Sequence, residues 1–437
     1  MKKLNILQNP FFLFSPILIA LIIYALINPT LGFGDEARYM AYAKNLIHGF
    51  YSPPAPDIQL INGPGYPIVL IPFIFLKLPL VSMTIINAFF YYFSIIFIYK
   101  ALKQIVSHRI TLVFSCSWAL YYIGYQNVPY IVTEPFTFLL MSMLIYSIIK
   151  TFITENKAVE KKNIIITGLI LGYIVLTKMI FGYVLILMMV GSGILWLSNR
   201  KNLNLRKTTI ILSLALLTTS PYLIYTYNLT NRIFYWGMGN DSLYWMSSPY
   251  ADEYGDWKSN LELHRIDEGN YNIQGSDSIL KAHHKAELDE INKYSGLSRD
   301  DAFKKIANQN IKEHPIKFAQ NIVYNIGRLM FHYPFSHAIQ RPKNLLIFPI
   351  HGAILTLMIF SLIPTFINWR KIPTYMKFLL LFTLLYLAGS SLVSALLRMF
   401  TVIVPILFVW FAYIFHHTMK INLKFESNSG FPIYKHN

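Results

Sequence analysis

The stretch "FFLFSPILIALIIYALINPTLGFGDE", residues 11 to 36, joins a long apolar run to two adjacent acids. The apolar part is long enough to cross the roughly 30 Å hydrocarbon core of a bilayer as a helix. Similar runs recur along the whole chain, in which 54% of the residues are hydrophobic and 14% are charged, against about 25% charged in an ordinary soluble domain. The sequence therefore predicts an all-α polytopic membrane protein, because a helix satisfies its own backbone hydrogen bonds inside lipid.

The formal net charge of +17 could indicate nucleic-acid binding, so the distribution of the charge along the chain decides. The excess of Lys and Arg lies in short segments between apolar runs, whereas acids and bases nearly balance between residues 229 and 345. This is the bias expected of cytoplasmic loops and not the basic stripe of a nucleic-acid binder. The distribution favours the lipid bilayer as a partner and excludes nucleic acid.

With every basic cluster assigned to the cytoplasm, the apolar runs predict about ten transmembrane helices, with both ends of the chain inside. These spans are expected near residues 11 to 28, 82 to 101, 110 to 127, 134 to 152, 163 to 178, 180 to 198, 208 to 228, 346 to 368, 377 to 394 and 399 to 417. The run "PGYPIVLIPFIFLKLPL", residues 64 to 80, is short and contains four prolines, which lack a backbone donor. We expect an interfacial helix there and not a crossing.

This topology divides the chain into three parts. Residues 1 to 228 form an N-terminal transmembrane module, which includes a long first outer loop at residues 29 to 80. Residues 229 to 345 form a mainly helical extracytoplasmic insert, and residues 346 to 437 form C-terminal transmembrane helices with a cytoplasmic tail. The N-terminal segment resembles a signal peptide, but its apolar part is too long for one and we expect it to be a retained span.

Acids are scarce outside the insert, and four of them fall on the outer side: Asp35, Glu36, Asp57 and Glu134. Lys178 and Arg398 interrupt apolar stretches in short outer turns. Ionisable groups in or beside spans are costly and are functional candidates by default. Because the cytoplasmic charges alone set the topology, the arrival of acids and cations at one face predicts a site there.

Each candidate also has a purely structural role open to it. Asp35 can be the N-cap of a short helix over residues 36 to 48. Glu134 can start a helix, where the positive end of the dipole favours an acid. Lys178 and Arg398 can extend along apolar surface and keep their charges in water.

The helix over residues 36 to 48 is predicted to be amphipathic and can lie against the bilayer surface with one face. Its apolar side chains recur at helical spacing: Tyr39, Met40, Ala43, Leu46 and Ile47. A metal site is a separate question, because the chain has a single cysteine, Cys116, and no thiolate set. His332 and His337 are weak candidates for a divalent metal ion where the insert returns to the membrane, and packing is their simpler role.

The order of these features resembles the GT-C superfamily of polyprenyl-phosphate-sugar-dependent glycosyltransferases, especially its protein O-mannosyltransferase and lipid A aminoarabinose transferase branch. The matching segments are "GDEARYMAYAKNLIHGFY" for the acidic pair after the first span, "NGPGYPIVLIPF" for the Pro-rich interfacial helix, "VTEPFTFLL" for the second acid, "LTKMIFGYVL" and "LLRMFTVIVPIL" for two outer basic residues, and "IKEHPIKFAQN" for the helix leading back to the membrane. The chain departs from that pattern at residues 62 to 65, where it has "NGPG" and family members usually have Lys or His before a Pro pair.

The resemblance implies an inverting hexosyl or pentosyl transferase at the outer face of the inner (cytoplasmic) membrane. Its donor is a polyprenyl-phosphate-linked sugar, and its acceptor is a lipid, a glycan or a protein. Asp35 is then the catalytic base for the acceptor hydroxyl, and Glu36, the second acid of the catalytic pair, orients the acceptor or binds a cation. Lys178 and Arg398 hold the donor phosphate, and Glu134 orients the acceptor or a cation.

Two other classes of protein fit the same sequence. A glycolipid transporter or flippase would also be polytopic, although transporters often show repeats and broken helices at mid-membrane, whereas these charges cluster at one face. A noncatalytic membrane subunit of an envelope-glycan pathway would tolerate the loss of Asp35.

Overall fold

The computed structural model describes residues 9 to 30, 32, 34 to 233, 235 to 257, 276 to 332, 336 and 345 to 418 of the 437-residue chain. The regular structure in these residues is entirely helical. Six of the described helices are long and apolar enough to cross a membrane, and shorter apolar helices accompany them. The predicted fold class, a helical membrane protein, is therefore confirmed.

The helices follow the predicted spans and add interfacial and insert helices between them. In chain order they are α1 Pro10–Leu13, α2 Ser15–Ile27, α3 Asp35–Ile47, α4 Gly65–Phe75, α5 Leu80–Leu102, α6 His108–Ala119, α7 Tyr122–Tyr125, α8 Glu134–Ile153, α9 Lys157–Thr177, α10 Ile180–Ser198, α11 Leu203–Thr230, α12 Gly239–Met246, α13 Ser276–Ile291, α14 Gly296–Glu313, α15 Pro315–Phe331, α16 Ile347–Asn368, α17 Thr374–Leu392, α18 Leu397–Thr401 and α19 Val404–His417. Three predicted spans are broken into two helices each. Pro16 and Pro405 lie in the first turn of α2 and α19, where a missing N–H leaves no helical partner unsatisfied.

The spans pack around one large apolar core. α5 packs on α8, α8 on α9, and α9 on α11. α19 lies innermost, since every residue from Val404 to Ile414 is buried. The outward faces carry exposed apolar side chains such as Leu217 and Phe366, as expected of surfaces that face lipid.

The first outer loop folds over the end of this bundle. α4 has 11 residues and is about 16 Å long, too short to cross roughly 30 Å of hydrocarbon, which agrees with a noncrossing helix. The expectation that the apolar face of α3 lies against the bilayer is wrong for its central residues. Tyr39 is 4% exposed and Ala43 is fully buried, because α4 covers this face and the ring of Tyr66 meets that of Tyr39 at 5.4 Å.

The insert has a core of its own, separate from that of the bundle. Its members come from α12, α13 and α14: Tyr244, Trp245, Leu280, Leu288, Ile291, Phe303 and Ala307. The boundaries of the three-part division stay a prediction.

Two glycines let the loop "NGPG", residues 62 to 65, touch the end of α9. A Cβ atom at Gly63 would lie 2.1 Å from the carbonyl oxygen of Leu176, and one at Gly65 would lie 2.5 Å from Thr177 Oγ1. Tyr173 donates a hydrogen bond to the Gly65 carbonyl at 2.9 Å. The loop is thereby held against the residues that directly precede Lys178.

We expect Gly63→Ala to destabilise the protein by about 1–3 kcal/mol, because a side chain there must push two backbone segments apart. Gly191→Ala is the matched control, since a Cβ on that helical glycine meets no atom within 4 Å and the change should be neutral or stabilising. Thermal unfolding in detergent micelles measures both. Equal unfolding midpoints for the two variants would contradict the close approach.

Candidate active site

Five charged side chains from distant parts of the chain meet at the end of the bundle under the first outer loop. Asp35 Oδ2 accepts a hydrogen bond from Arg398 Nη1 at 2.7 Å, and Arg38 binds the other oxygen of the same carboxylate. Glu134 Oε1 accepts from Lys178 Nζ at 2.9 Å and lies 4.0 Å from Arg398 Nε. Arg398 therefore connects the two ion pairs.

Helix ends place these groups. Asp35 and Glu134 are the first residues of α3 and α8, where exposed N–H groups create a positive end that favours acids. Lys178 is the C-cap of α9, in the tight turn that leads into α10. Arg398 lies in the short helix α18, just before α19. These four charges are thus held at or near helix termini and not by a long loop.

Burial and charge act in opposite directions on the Asp35 carboxyl. Burial raises its pKa, but the guanidinium groups of Arg398 and Arg38 outweigh this effect and hold the pKa below its usual range. Asp35 is therefore ionised at neutral pH. With three cations against the two carboxylates of Asp35 and Glu134, the cluster carries one net positive charge.

The structure agrees with the structural role considered for Glu134 and contradicts those considered for Asp35, Lys178 and Arg398. Asp35 is not the N-cap of α3: the cap residue is Gly34, with φ of +62°, and Asp35 is already helical. Glu134 does start α8 and also binds Lys178. The ammonium of Lys178 turns inward to Glu134, and its side chain is 16% exposed, so it does not extend to the interface. Arg398 turns to Asp35 in the same way.

Glu36 lies apart from the ion pairs and ties two segments together. Its carboxylate accepts hydrogen bonds from Thr30 Oγ1 at 2.5 Å, from the Gly32 N–H at 3.0 Å and from the Ile131 N–H at 2.7 Å. The side chain of Glu36 is buried. These contacts fasten the start of the first outer loop to the turn that precedes Glu134. They favour a positioning role for Glu36 over the second catalytic carboxylate predicted from sequence.

The metal candidates gain no support from the geometry. His332 caps the C-terminal end of α15, and burial lowers its pKa. His337 lies outside the described residues. Across the described part of the chain, no three His, Cys, Asp or Glu side chains are grouped so as to hold a metal ion.

Arg38 and Asn62 belong to the site although the sequence did not single out Arg38. Arg38 Nε donates to Asn62 Oδ1 at 2.7 Å, and Asn62 Nδ2 donates to the Tyr39 hydroxyl at 3.2 Å. The spacing of three residues from Asp35 to Arg38 on a helix was the available signal. Arg38 thus brings a third cation to the cluster, and Asn62 holds its side chain in place.

Comparisons with known proteins give only a distant likeness. No protein-family model and no curated protein sequence matches the chain. Two solved structures that are similar are those of ArnT from Cupriavidus metallidurans, bound to undecaprenyl phosphate and in the apo state. They share 11% and 12% identity with this chain, at TM-scores of 0.40 and 0.42, over 92% of this chain and 77% and 76% of theirs. At this distance the function has to rest on the geometry of the site.

We expect Lys178→Met to destabilise the protein by roughly 3 kcal/mol, because it leaves the carboxylate of Glu134, which is 1% exposed, without its nearest cation. Adding Glu134→Gln should recover part of this loss, since the uncompensated charge is then gone. The control is Lys285→Met, which breaks an exposed ion pair with Asp289 and should change stability by less than about 1 kcal/mol. Unfolding in detergent micelles measures all three, and a double variant no more stable than Lys178→Met would contradict the coupling.

Proposed function

We propose that the protein is an inverting glycosyltransferase that moves a sugar from a polyprenyl-phosphate-linked donor to an acceptor at the outer face of the cytoplasmic membrane. The observation that carries the proposal is the cluster of Asp35, Glu134, Arg38, Lys178 and Arg398, in which a carboxylate and several cations share one end of a membrane bundle. The resemblance of the sequence to GT-C glycosyltransferases agrees with this assignment.

The cations suit the phosphate of a lipid-linked donor. A phosphodiester carries a single negative charge, which the one net positive charge of the cluster would neutralise. Lys178 and Arg398 would bind it in place of part of their present contacts with Glu134 and Asp35, and Arg can do so with two parallel hydrogen bonds. The polyprenyl chain of such a donor would stay in the bilayer beside the apolar outer faces of the spans.

Asp35 is the group that would act on the acceptor. Its carboxylate would take the proton of the acceptor hydroxyl while that oxygen attacks the anomeric carbon. The bond between the anomeric carbon and the phosphate oxygen breaks, and polyprenyl phosphate leaves with the electron pair. Lys178 and Arg398 would stabilise the charge that grows on the leaving phosphate. Direct displacement inverts the anomeric centre.

Donor binding would also make Asp35 a better base. In the structure, Arg398 holds the pKa of Asp35 down. A phosphate that draws Arg398 toward itself would weaken this hold, and the pKa of Asp35 would rise because its burial remains. The base would thus become stronger only when the donor is present. Glu134 would keep Lys178 and Arg398 in place throughout.

Asp35→Asn should lower sugar transfer by about 10²–10⁴-fold, the usual contribution of a general base, while donor binding persists. Purified protein with radiolabelled polyprenyl-phosphate sugars and candidate acceptors, assayed for released polyprenyl phosphate, measures this. Asp289→Asn, at a half-exposed position of α13, is the control. Full transfer by Asp35→Asn would rule out its role as base, and a wild-type protein that consumes no donor would favour the transporter or subunit alternatives.

Arg38→Gln should move the acid limb of the pH profile of kcat/KM to higher pH. Asp35 must be ionised to act, so activity is lost as the pH falls through its pKa, which the guanidinium groups of Arg398 and Arg38 hold below its usual range in the wild type. Removing one of its two cations leaves burial less opposed and raises that pKa. Arg38→Lys keeps the charge and should shift the limb less. An unchanged limb in Arg38→Gln would show that another group controls it.

A further inference from the structure

A cavity of about 800 Å³ lies between the first outer loop and the insert. One wall is Arg38 with residues 57 to 61, and the opposite wall comes from the insert. Cavities of about 300–1,000 Å³ are typical of small-ligand sites. The cavity is therefore large enough to hold the reacting part of a second substrate.

Arg38 joins this cavity to the ion-pair cluster. Its side chain lines the cavity, while its guanidinium binds Asp35 and Asn62. Asp35 itself is partly exposed, at 27% of its side chain. A ligand in the cavity is thus separated from the proposed base by one side chain.

The lining combines aromatic residues with groups that bind hydroxyls. Four aromatic residues contribute: Tyr235, Trp257, Tyr294 and Phe303. Six polar or charged residues also line the cavity and include hydrogen-bond donors and acceptors: Asp57, Gln59, Asp241, Asn292, Arg299 and Asp300. Aromatic rings pack on the C–H faces of sugar rings, and carboxylates and amides bind the hydroxyl groups around the ring edge.

Several buried polar atoms of the lining have no hydrogen-bond partner within the described protein. Asp300 is 5% exposed, and its Oδ2 accepts from Arg232 and Asn240, but its Oδ1 has no partner. Arg299 Nε is a buried donor that also has no hydrogen-bond partner. Since a hydroxyl both donates and accepts, a ligand rich in hydroxyls would suit the polar side chains of the lining.

Asp241 adds to the cavity a carboxyl group whose pKa is raised. Burial raises its pKa to about 6, although the indole N–H groups of Trp257 and Trp245 lie near enough to oppose this rise. No hydrogen bond of good geometry reaches Asp241 Oδ1 or Trp257 Nε1.

An extended peptide fits the cavity less well. Peptides that add to a protein as strands need free backbone groups along an edge. In the loop that lines the cavity, the Leu60 carbonyl already accepts from the Gly237 N–H at 3.0 Å and the Ile61 carbonyl from Trp236 Nε1 at 2.9 Å. The cavity therefore presents polar side chains to a ligand, and not free backbone groups.

We propose that this cavity is the acceptor site and that the bound part of the acceptor is a saccharide. The assignment as acceptor rests on the proposed function. One of the sugar's hydroxyls passes Arg38 to reach Asp35, while its rings lie among the aromatic residues. Asp241 and Tyr294 determine acceptor affinity without taking part in the chemistry.

Oligosaccharide binding tests the proposal separately from catalysis. Titration calorimetry of the full-length protein in detergent micelles would use maltotriose, chitotriose, a chitosan trimer and a Ser/Thr-containing heptapeptide as probes. At least one saccharide should bind, and Asp241→Asn and Tyr294→Ala should each weaken that binding about tenfold, which is about 1.4 kcal/mol. The controls are Asp289→Asn and Tyr227→Ala, at residues outside the cavity lining, with Tyr227 48% exposed. Tyr294 is 54% exposed, so its variant remains informative if Asp241→Asn fails to fold.

The outcomes separate the two proposals. In the transfer assay, both cavity variants should raise the KM for the acceptor about tenfold and leave the Kd for the donor unchanged. Binding of the peptide alone, binding of none of the probes, or saccharide binding that is equal in variants and controls would overturn the saccharide site. If the cavity binds saccharide as expected but the wild type consumes no lipid-linked donor, the glycosyltransferase function fails and the binding site stands.

Discussion

A carboxylate that is almost fully buried at the end of a membrane bundle needs a cation, and this need organises the molecule. Glu134 is 1% exposed, and an uncompensated charge at such a position costs several kcal/mol. Lys178 and Arg398 meet the need from α9 and from the turn before α19. Because Arg398 also binds Asp35, the same requirement draws in the first outer loop. Segments that are far apart along the chain therefore meet at one point.

Packing under the loop then fixes the geometry that electrostatics favours. The glycines of the "NGPG" loop permit backbone contact with the end of α9, directly before Lys178. Glu36 fastens the other end of the first outer loop to the turn that leads into Glu134. Both supports are made of backbone contacts and buried hydrogen bonds, which hold position more tightly than surface ion pairs do. A site held in this way is preorganised for a substrate.

The charged groups are paired with one another in the structure, and a bound substrate could replace some of these pairings. Each proposed phosphate-binding cation is paired with a carboxylate in the structure, and the cluster keeps one net positive charge. An incoming phosphate would exchange partners within the cluster, so no bare charge has to be buried beforehand. Arg38 stands between this cluster and the polar, aromatic cavity of the insert. Arg38 would thus lie between the proposed acceptor cavity and Asp35.

The sequence alone determined the helical membrane fold and the approximate spans, because hydropathy and loop charge act locally along the chain. It also pointed to Asp35, Glu134, Lys178 and Arg398, since ionised groups are scarce beside apolar runs. Tertiary structure alone decided that α3 packs against α4, that Glu36 is a tether and that Arg38 joins the ion pairs. The contact between Asp35 and Arg398 spans 363 positions, and such a contact depends on how helices pack in three dimensions. The cavity between the first outer loop and the insert has the same origin, because neither wall forms it alone.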